Sequence, residues 1–411
     1  MENKELLTSI KENAVRFDSY EDLDALVEAA SGAQFVLLGE ASHGTSEFYT
    51  VRAEITKKLI EDKGFSFIAV EGDWPSCFSV NQFVKGYKEG SPIEVLKEFD
   101  RWPSWMWANE EILSLIKWLK AYNVHSGKSV GFYGLDVYSL WESMEEIINQ
   151  LEKVSPDDVK AAKRAFACFE PFDRRGENYA ISAAYYGEDC TDEVVRVLVD
   201  LQKKRKSYHR DQEGDLNLEI NSLVMLNAER YYRAMAKGGA EDWNIRDTHM
   251  VTALEKIMAA HGKAAKAVIW EHNTHIGDAR ATDMIDEGLV NVGQLLREKY
   301  GQKVFSAGFG THHGTVVAST EWAGTVEVME VPVAKKGSWE DLLNEAGAFN
   351  KYLLFNRENE DLFGDIIGHR AIGVVYNPEI EHLGNYVPSK ISKRYDAFLF
   401  INETNALKPM F

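Results

Sequence analysis

Acidic and histidine side chains recur in this sequence directly after short apolar segments. Glu40 and His43 follow one such segment in LLGEASHGTSEFY, and His272 and His275 follow another in AVIWEHNTHIGDAR. The residues in such positions are Glu40, His43, Glu71, Asp136, Glu271, His272, His275, Asn402 and Glu403. A histidine titrates near neutral pH, and a carboxylate beside it can orient its ring. The set is therefore typical of general acid–base chemistry, although a helix cap would also explain His43.

Two charged residues fall where apolar side chains are expected. Glu71 ends the apolar run FIAVE, so its carboxyl group must be paired, protonated or catalytic. Arg52 lies four residues after Phe48 on the apolar stripe of a predicted helix, and a buried guanidinium needs a carboxylate partner. Glu40 or Glu71 could be that partner. A purely structural ion pair would also explain Arg52.

His272 and His275 form an HxxH sequence, and two imidazoles at this spacing can share a helix face and bind a metal ion. The sequence contains no HExxH motif, so a third ligand would have to come from elsewhere. We expect no cofactor, and a metal site only if His43, Glu71, His272 and His275 converge.

Three common catalytic or nucleotide-binding motifs are absent from the sequence. Ser42 lies in GEASHG, which lacks the spacing of the GxSxG nucleophile elbow. There is no GxxxxGK[ST] phosphate loop, and no GxGxxG follows a predicted strand. The sequence therefore disfavours a serine hydrolase, an ATPase and a dinucleotide enzyme.

Short, continuous apolar runs predict the strands that must position these residues, over 35–39, 67–71, 130–135, 267–271, 304–307, 352–355, 371–375 and 398–401. Such runs are typical of strands covered on both faces, as in parallel sheets. Amphipathic helices, for example 46–62 and 110–123, lie between them. The alternation predicts an α/β fold with a mostly parallel central sheet flanked by helices. The carboxyl ends of its strands would bring the polar residues to one site.

One long segment interrupts the alternation of strands and helices. Residues 141–262 contain helical, charged sequence such as DEVVRVLVDLQKKRKSYHRD and no convincing strand. We predict a helical insertion near the active-site cleft, between the first part of the α/β core (residues 1–140) and its second part (residues 263–411). The insertion could cap the cleft, or its helices could cover one face of the sheet. Residues 310–334 are expected to form a hairpin or irregular strands.

Charge and composition restrict the partners and the location of the protein. Its net charge of −19 would repel nucleic acid and anionic membrane surfaces, whereas a neutral or cationic small molecule would be tolerated. No apolar run is long enough to span a bilayer, and the polar, helical N-terminus lacks an apolar signal core. Cys77, Cys168 and Cys190 share no CxxC spacing. We therefore expect a cytoplasmic protein with reduced thiols, and the sequence does not indicate an oligomeric state.

The strand-end motifs resemble those of the erythromycin esterase family. The similar segments keep their order from about residue 35 to residue 405, and they are LLGEASHGTSEFYTVR, FIAVEGDWP, FYGLDVYS, NIRDTHM, WEHNTHIGDAR, VNVGQLLREKYG, FSAGFGTHHGTV and RYDAFLFINETNAL. The resemblance implies an α/β core with a helical insertion, and ester hydrolysis by an activated water without a covalent enzyme intermediate. The best-known members open the macrolactone ring of erythromycin-type antibiotics, and others carry labels tied to the synthesis of succinoglycan, an exopolysaccharide.

The resemblance also assigns roles to individual residues of this chain. The essential histidine of the family corresponds to His43, its glutamates to Glu40 and Glu71, and its arginine to Arg52. The later histidines of the family correspond to His272 and His275. These are the same residues that the strand-end pattern selects.

Together, these observations predict a hydrolase that cleaves a small-molecule carboxylic ester, for which a macrolide lactone is one candidate. His43 would act as general base on a water molecule held by Glu71 or Glu40. Arg52 and one of the two later histidines would stabilise the oxyanion or protonate the leaving alkoxide. Two alternatives remain open at this point: a metal-dependent hydrolase, and a non-catalytic protein that binds a small apolar ligand or a haem-like cofactor.

Overall fold

Short strands and longer helices alternate along most of the chain. The computed structural model describes residues 3–187, 189–204 and 211–411. The strands are β1 (Val15–Arg16), β2 (Phe35–Leu38), β3 (Phe67–Asp73), β4 (Gly131–Asp136), β5 (Ala267–Trp270), β6 (Val304–Ala318), β7 (Glu327–Val331), β8 (Lys351–Leu354), β9 (Ile366–Arg370), β10 (Tyr386–Lys390) and β11 (Ala397–Thr404).

The α-helices range from single turns to 24 residues. They are α1 (Asn3–Asn13), α2 (Asp24–Ala30), α3 (Ser46–Lys63), α4 (Trp74–Val84), α5 (Pro92–Leu96), α6 (Glu110–Ser126), α7 (Leu140–Val154), α8 (Pro156–Phe166), α9 (Gly176–Tyr186), α10 (Thr191–Lys204), α11 (Gln212–Met235), α12 (Glu241–His261), α13 (Asn273–Ile276), α14 (Val292–Tyr300), α15 (Trp339–Glu345), α16 (Glu381–Gly384) and α17 (Ile391–Arg394). None of these helices, within the described ranges, has the length and apolar character needed to cross a membrane.

The larger sheet places its strands in the order β1–β8–β11–β6–β2–β5–β3–β4, and β7 pairs with β6 outside this row. β2 runs parallel to its neighbours β5 and β6, and β11 runs parallel to β6. At one edge, β8 pairs antiparallel with both β11 and β1. β9 and β10 form a separate antiparallel pair. The predicted α/β class, with a mostly parallel central sheet flanked by helices, is confirmed.

The register of the sheet brings two of the predicted strand ends together. Leu38, the last residue of β2, lies opposite Trp270, the last residue of β5, and opposite Ala307 of β6. All four residues of β2 are buried, as expected for a strand that is covered on both faces. Because β2 and β5 are parallel and end at the same level, the segments that begin at Gly39 and Glu271 leave the sheet side by side.

The chain divides into two compact units. The first contains Met1–Ala69, Val80–Phe132 and Ala265–Phe411, and the second contains Val70–Ser79 and Tyr133–Ala264. The second unit includes helices α7 to α12 and the carboxyl-terminal parts of β3 and β4. The boundaries of the predicted insertion, residues 141–262, and its role as a cap stay predictions. Residues 1–2 of the predicted N-terminal helix, and residues 188 and 205–210 of the predicted insertion, lie outside the described residues.

The predicted strand over residues 371–375 is wrong. β9 ends at Arg370, and the following residues make only isolated bridges, from Ile372 to Ser42 and from Val375 to Ser319. The apolar character of this run reflects the burial of Ile372 in a small cluster of apolar side chains. The hairpin interpretation of residues 310–334 is confirmed, since β6 continues to Ala318 and pairs antiparallel with β7.

The expectation that all three cysteines are reduced is also wrong. Cys168 and Cys190 form a disulfide with a Cα–Cα distance of 5.9 Å, whereas the buried Cys77 is a free thiol. The two partners are 22 residues apart, and helix α9 lies between them in the sequence, so no local sequence motif predicts the disulfide. The hydroxyl of Tyr179 on α9 accepts a hydrogen bond from the Cys190 amide at 3.0 Å. Disulfides are rare in the cytosol, and the cytoplasmic location stays a prediction.

We expect alkylation to distinguish the paired cysteines from Cys77. When the air-oxidised protein is unfolded without reductant, mass spectrometry should find one alkylated thiol, at Cys77. Reduction should lower the free energy of unfolding by about 3 kcal/mol, since the cross-link restricts the unfolded chain over a separation of 22 residues. The double variant Cys168→Ser/Cys190→Ser should not respond to reductant. Three alkylated thiols in the oxidised protein would contradict the disulfide.

Candidate active site

Gly39 and Gly44 allow the turn after β2 to pack closely against its neighbours. A Cβ atom on Gly39 would lie 2.1 Å from Asn273 Oδ1, and one on Gly44 would lie 1.9 Å from the carbonyl oxygen of Val317. Both distances are far below van der Waals contact, so only glycine fits. Helix α3 begins at Ser46, directly after this turn. Glu40 and His43 therefore sit on one short, closely packed turn at the end of β2.

Glu40 is shared between a histidine and an arginine. Its Oε1 lies 2.8 Å from His43 Nδ1, and its Oε2 accepts a hydrogen bond from Arg52 Nη2. All three side chains are buried, and His43 is the most exposed residue of the three at 8%. Because Nδ1 faces the Glu40 carboxylate, we assign the ring proton of the neutral His43 imidazole to Nδ1, which donates it to Glu40. Nε2 is then the proton acceptor of the unprotonated imidazole.

Arg52 is enclosed by aromatic rings. Its guanidinium carbon lies 4.5 Å from the ring centroid of Tyr49 and 4.6 Å from that of Trp270, distances typical of cation–π contacts. Its Nε donates to the carbonyl oxygen of Phe48 at 3.2 Å. The residue has no exposed surface, so its charge is compensated inside the protein, and Glu40 does this. Of the two partners that the sequence suggested for Arg52, Glu40 is therefore the observed one.

The structure brings His272 next to His43. The ring centroids of the two histidines are 4.9 Å apart. His272 caps the short helix α13, where its Nδ1 accepts a hydrogen bond from the backbone amide of Thr274 at 3.3 Å. His275 lies within α13 and is buried as well. His43 and His272 thus form a pair of imidazoles supplied by the ends of β2 and β5.

Asn273, which the sequence analysis did not select, joins the two turns. Its backbone amide donates to the carbonyl oxygen of Glu40 at 2.9 Å. Its side chain donates to the carbonyl oxygen of Phe309 at 2.7 Å and accepts from the amide of the same residue at 3.1 Å. The turn after β2 is therefore fixed to the turn after β5, and both are fixed to β6. The only signal in the sequence is its position between the two histidines of HNTH.

A second carboxylate–histidine pair, Glu340 and His369, contacts the side chain of Asn273. His369 Nδ1 lies 2.6 Å from Glu340 Oε1, and His369 Nε2 lies 3.2 Å from Asn273 Nδ2. Glu340 and His369 are both fully buried. No sequence pattern predicts this pair, because the two residues are 29 positions apart and neither follows one of the predicted strand ends.

Glu71 belongs to the second unit and pairs with a different arginine. Its Oε1 lies 2.6 Å from Arg246 Nη2, an atom that also lies 2.7 Å from Asp136 Oδ2. Arg246 comes from α12 and was not selected from the sequence, although the segment NIRDTHM, which resembles the family, contains it. Burial opposes the ionisation of Asp136, but the charge of Arg246 and its hydrogen bonds hold the pKa of Asp136 below its ordinary value.

The remaining residues of the predicted strand-end set follow β5 or belong to β11. Glu271 is buried directly after β5. Asn402 and Glu403 belong to β11, where Glu403 is exposed and its carboxylate lies 4.0 Å from His313 Nε2 on β6. The contact between Glu403 and His313 is a weak surface ion pair.

His249 is a buried histidine near the Arg246 cluster. Its Nδ1 accepts a hydrogen bond from Asn227 Nδ2 at 3.0 Å. Burial lowers the pKa of His249 from its ordinary value of 6.5 to about 4, although the nearby charge of Asp136 opposes this shift. His249 is therefore neutral in the folded protein at neutral pH.

The residues that could hold a metal ion do not form a ligand group. Within residues 3–187, 189–204 and 211–411, no three His, Cys, Asp or Glu side chains are arranged to bind a metal ion. The metal site that His43, Glu71, His272 and His275 would form stays a prediction.

Comparison with known proteins identifies the family. The profile of the family described as "Erythromycin esterase" matches residues 60–404. This chain belongs to the erythromycin esterase family. The match includes Glu71, His272 and His275, and it begins after Arg52.

Two relatives from Escherichia coli carry the family name. Erythromycin esterase type II is 23% identical over 372 residues, which cover 84% of this chain and 86% of that protein. Erythromycin esterase type I is 20% identical over 330 residues, which cover 75% of this chain and 77% of that protein. Both alignments span most of each protein.

Two crystal structures share the fold at low sequence identity. A protein described as a succinoglycan biosynthesis protein has a TM-score of 0.81 at 20% identity, covering 99% of this chain and 98% of its own. A mutant of the erythromycin esterase EreC in its open conformation has a TM-score of 0.71 at 15% identity, covering 95% of this chain and 97% of its own. At these identities, the similarity establishes the fold of this family member and not its substrate.

We expect Glu40→Gln to destabilise the protein because it leaves the enclosed Arg52 guanidinium without its counter-charge. The free energy of unfolding in urea should fall by about 3–5 kcal/mol. The double variant Glu40→Gln/Arg52→Met should recover part of this loss. As a control, Glu28→Gln breaks the exposed Lys63–Glu28 pair and should change little. A Glu40→Gln effect as small as that of Glu28→Gln would contradict the compensation of Arg52 by Glu40.

We also expect His249 to make stability depend on pH. Between pH 6.5 and 4, the unfolded chain protonates this histidine while the folded protein does not, so acidification destabilises the fold. The contribution reaches about 3 kcal/mol at the lower end of this range. The loss of unfolding free energy on acidification should therefore be smaller in His249→Gln than in wild type. His125→Gln, an exposed site on α6, is the control. Equal losses in all three proteins would refute the expectation.

Proposed function

We propose that this protein is a carboxylic ester hydrolase in which His43 activates a water molecule, without a covalent enzyme intermediate. The observation that carries the proposal is the hydrogen bond of His43 Nδ1 to Glu40, which is itself held by the buried Arg52. A histidine oriented in this way by a carboxylate is the usual form of a general base in hydrolases.

The reaction would proceed by direct attack of water on the ester carbonyl carbon. His43 Nε2 removes a proton from the water as its oxygen forms the new bond to carbon, and Glu40 stabilises the resulting imidazolium. The tetrahedral intermediate then expels the alkoxide, which receives the proton. A linear ester yields an acid and an alcohol, and a lactone yields one ring-opened hydroxy acid. General-base assistance of this kind typically contributes about 10²–10⁴ in rate.

His272 is our candidate for stabilising the oxyanion or protonating the leaving alkoxide, because its ring lies beside that of His43. His275 is the second candidate for this role. Arg52 was expected to contribute to oxyanion stabilisation, but its guanidinium is enclosed and bound to Glu40, and we therefore assign it to the positioning of Glu40. We assign Glu71 as the second carboxylate of the reaction, on the basis of the family resemblance.

We propose a macrolide lactone as the first substrate to test. Two relatives of this chain are named erythromycin esterases, although a structural neighbour is described as a succinoglycan biosynthesis protein. Simple aryl esters are the second class to test, because the proposed chemistry needs only an activated water and an ester carbonyl. We also propose that the helical segment 141–262 covers the site as a cap.

The test is mass spectrometry of macrolide lactones and aryl esters after incubation with the purified protein. We expect a product heavier by one water molecule, and we expect His43→Ala to lose nearly all turnover, by about 10²–10⁴-fold, while its unfolding temperature changes little. His125→Ala, which alters an exposed histidine, is the matched control. Near-wild-type turnover by His43→Ala would refute the role of His43.

The same assay separates the alternatives. Turnover that is lost with a chelator and restored by Zn²⁺ would favour a metal-dependent hydrolase, and elemental analysis of the protein would support it. Binding of the macrolide without conversion, or an absorption band from a bound haem-like group, would favour a non-catalytic binding protein. Hydrolysis of aryl esters alone would keep the esterase and exclude the tested macrolides.

A further inference from the structure

Arg246 connects the carboxylates at the ends of two neighbouring strands. Its Nε donates to Asp136 Oδ1 at 2.9 Å, and its Nη2 donates to Asp136 Oδ2 at 2.7 Å. The same Nη2 donates to Glu71 Oε1 at 2.6 Å. The guanidinium carbon lies 4.9 Å from the ring centroid of Tyr138. Two hydrogen bonds and the aromatic ring thus fix the plane of the guanidinium, and one further hydrogen bond reaches Glu71.

We propose that Arg246 is a positioning residue that holds Glu71 as a carboxylate, in one orientation, for the hydrolytic reaction. The inference rests on the proposed role of Glu71 in ester hydrolysis. Arg246 acts through Glu71, and Asp136 acts one step further back by holding the guanidinium in place.

The number of charges favours a functional reason for this cluster. The positive charge of the Arg246 guanidinium is already neutralised by Asp136, which is buried and accepts a hydrogen bond from it at each carboxylate oxygen. A second buried carboxylate, Glu71, shares one nitrogen of the same guanidinium and adds the cost of burying another charge. A cluster that served stability alone would need only the Arg246–Asp136 pair.

Several other titratable groups lie around the cluster. Tyr138 and Tyr231 share a hydrogen bond at 3.4 Å on the aromatic side, and burial raises the pKa of both hydroxyls. His249 is neutral near neutral pH, for the reason given above. Cys77, Tyr138, Tyr231 and His249 interact electrostatically with Asp136 or Arg246, and Asp73 and Asp242 act in turn on Cys77 and Tyr231.

Removal of Arg246 would leave Glu71 and Asp136, which bind the same nitrogen, without the guanidinium that they share. Two such carboxylates do not both remain ionised, and the pair takes up a proton at a raised pH. Glu71 would then be partly protonated and free to rotate. The rate at neutral pH would fall, and more alkaline conditions would be needed to ionise the pair.

The first test is the pH dependence of kcat/KM on the best ester found, from about pH 5 to about pH 9. We expect Arg246→Met to lose about 10²-fold near pH 7 and to move the acidic limb of the profile upward by about one unit or more. Arg246→Lys should return the limb towards its wild-type position, because it restores the charge, but it should recover the rate only in part. When Glu71→Gln is already present, adding Arg246→Met should lower kcat/KM by a further factor of less than about three.

Arg174→Met is the matched control, because it removes another arginine of the same unit. Arg174 is half exposed and lies 3.1 Å from Glu142, which is itself partly exposed, so no fully buried carboxylate loses its cation. This variant should keep the wild-type rate and profile. The proposal fails if Arg246→Met leaves the acidic limb in place, or if the losses in Glu71→Gln and Arg246→Met multiply. In the second case Arg246 would act on the substrate directly.

A measurement without a substrate separates this inference from the proposed function. If the wild type hydrolyses no tested ester, the proposed function fails, and the pH dependence of urea unfolding then tests the cluster. Between about pH 7 and pH 5, Arg246→Met should gain stability relative to Arg174→Met, because its folded state binds a proton that the unfolded carboxylates do not bind. Equal pH dependences in these two variants would overturn the inference.

Discussion

The orientation of His43 depends on a guanidinium that has no contact with solvent. Arg52 lies between two aromatic rings, and an arginine is stable in such surroundings only when a carboxylate compensates its charge. Glu40 supplies that carboxylate with one oxygen, which leaves the other oxygen to hold His43. Asn273 then ties the backbone of Glu40 to β6 and to the turn that carries His272. The position of each imidazole therefore follows from the burial of one charge.

The same physical problem is solved differently in the two units. In the first unit, one carboxylate stands between an arginine and a histidine, and both oxygens have a partner. In the second unit, one arginine stands between two carboxylates. The first arrangement fixes the ring of His43, and in the second two carboxylates share the charge of one guanidinium. In both arrangements the arginine comes from a helix, α3 or α12, and its carboxylate partners lie in the carboxyl-terminal part of a buried strand or directly after one.

Family membership and substrate rest on different evidence in this protein. The family profile spans most of the chain, and the fold is shared with structures that are only 15–20% identical. A fold can be kept at such identities because it depends on burial patterns that many apolar residues satisfy. A substrate pocket depends on individual side chains, so the names of the relatives suggest which esters to test first and do not decide among them.

Local sequence patterns alone predict the α/β class, most of the central strands and the candidate residues for acid–base chemistry. They do so because apolar runs and strand-end polar residues are local patterns that burial imposes directly on the chain. Tertiary structure decided which charges pair. Arg52 pairs with Glu40 and not with Glu71. Glu71 instead forms an ion pair with Arg246, which is 175 positions away on a helix, and Cys168 forms a disulfide with Cys190. Residues 371–375 form no strand, although their pattern is apolar. Pairing and strand formation of this kind need a partner whose position in space is set by the whole fold, and no local pattern records it.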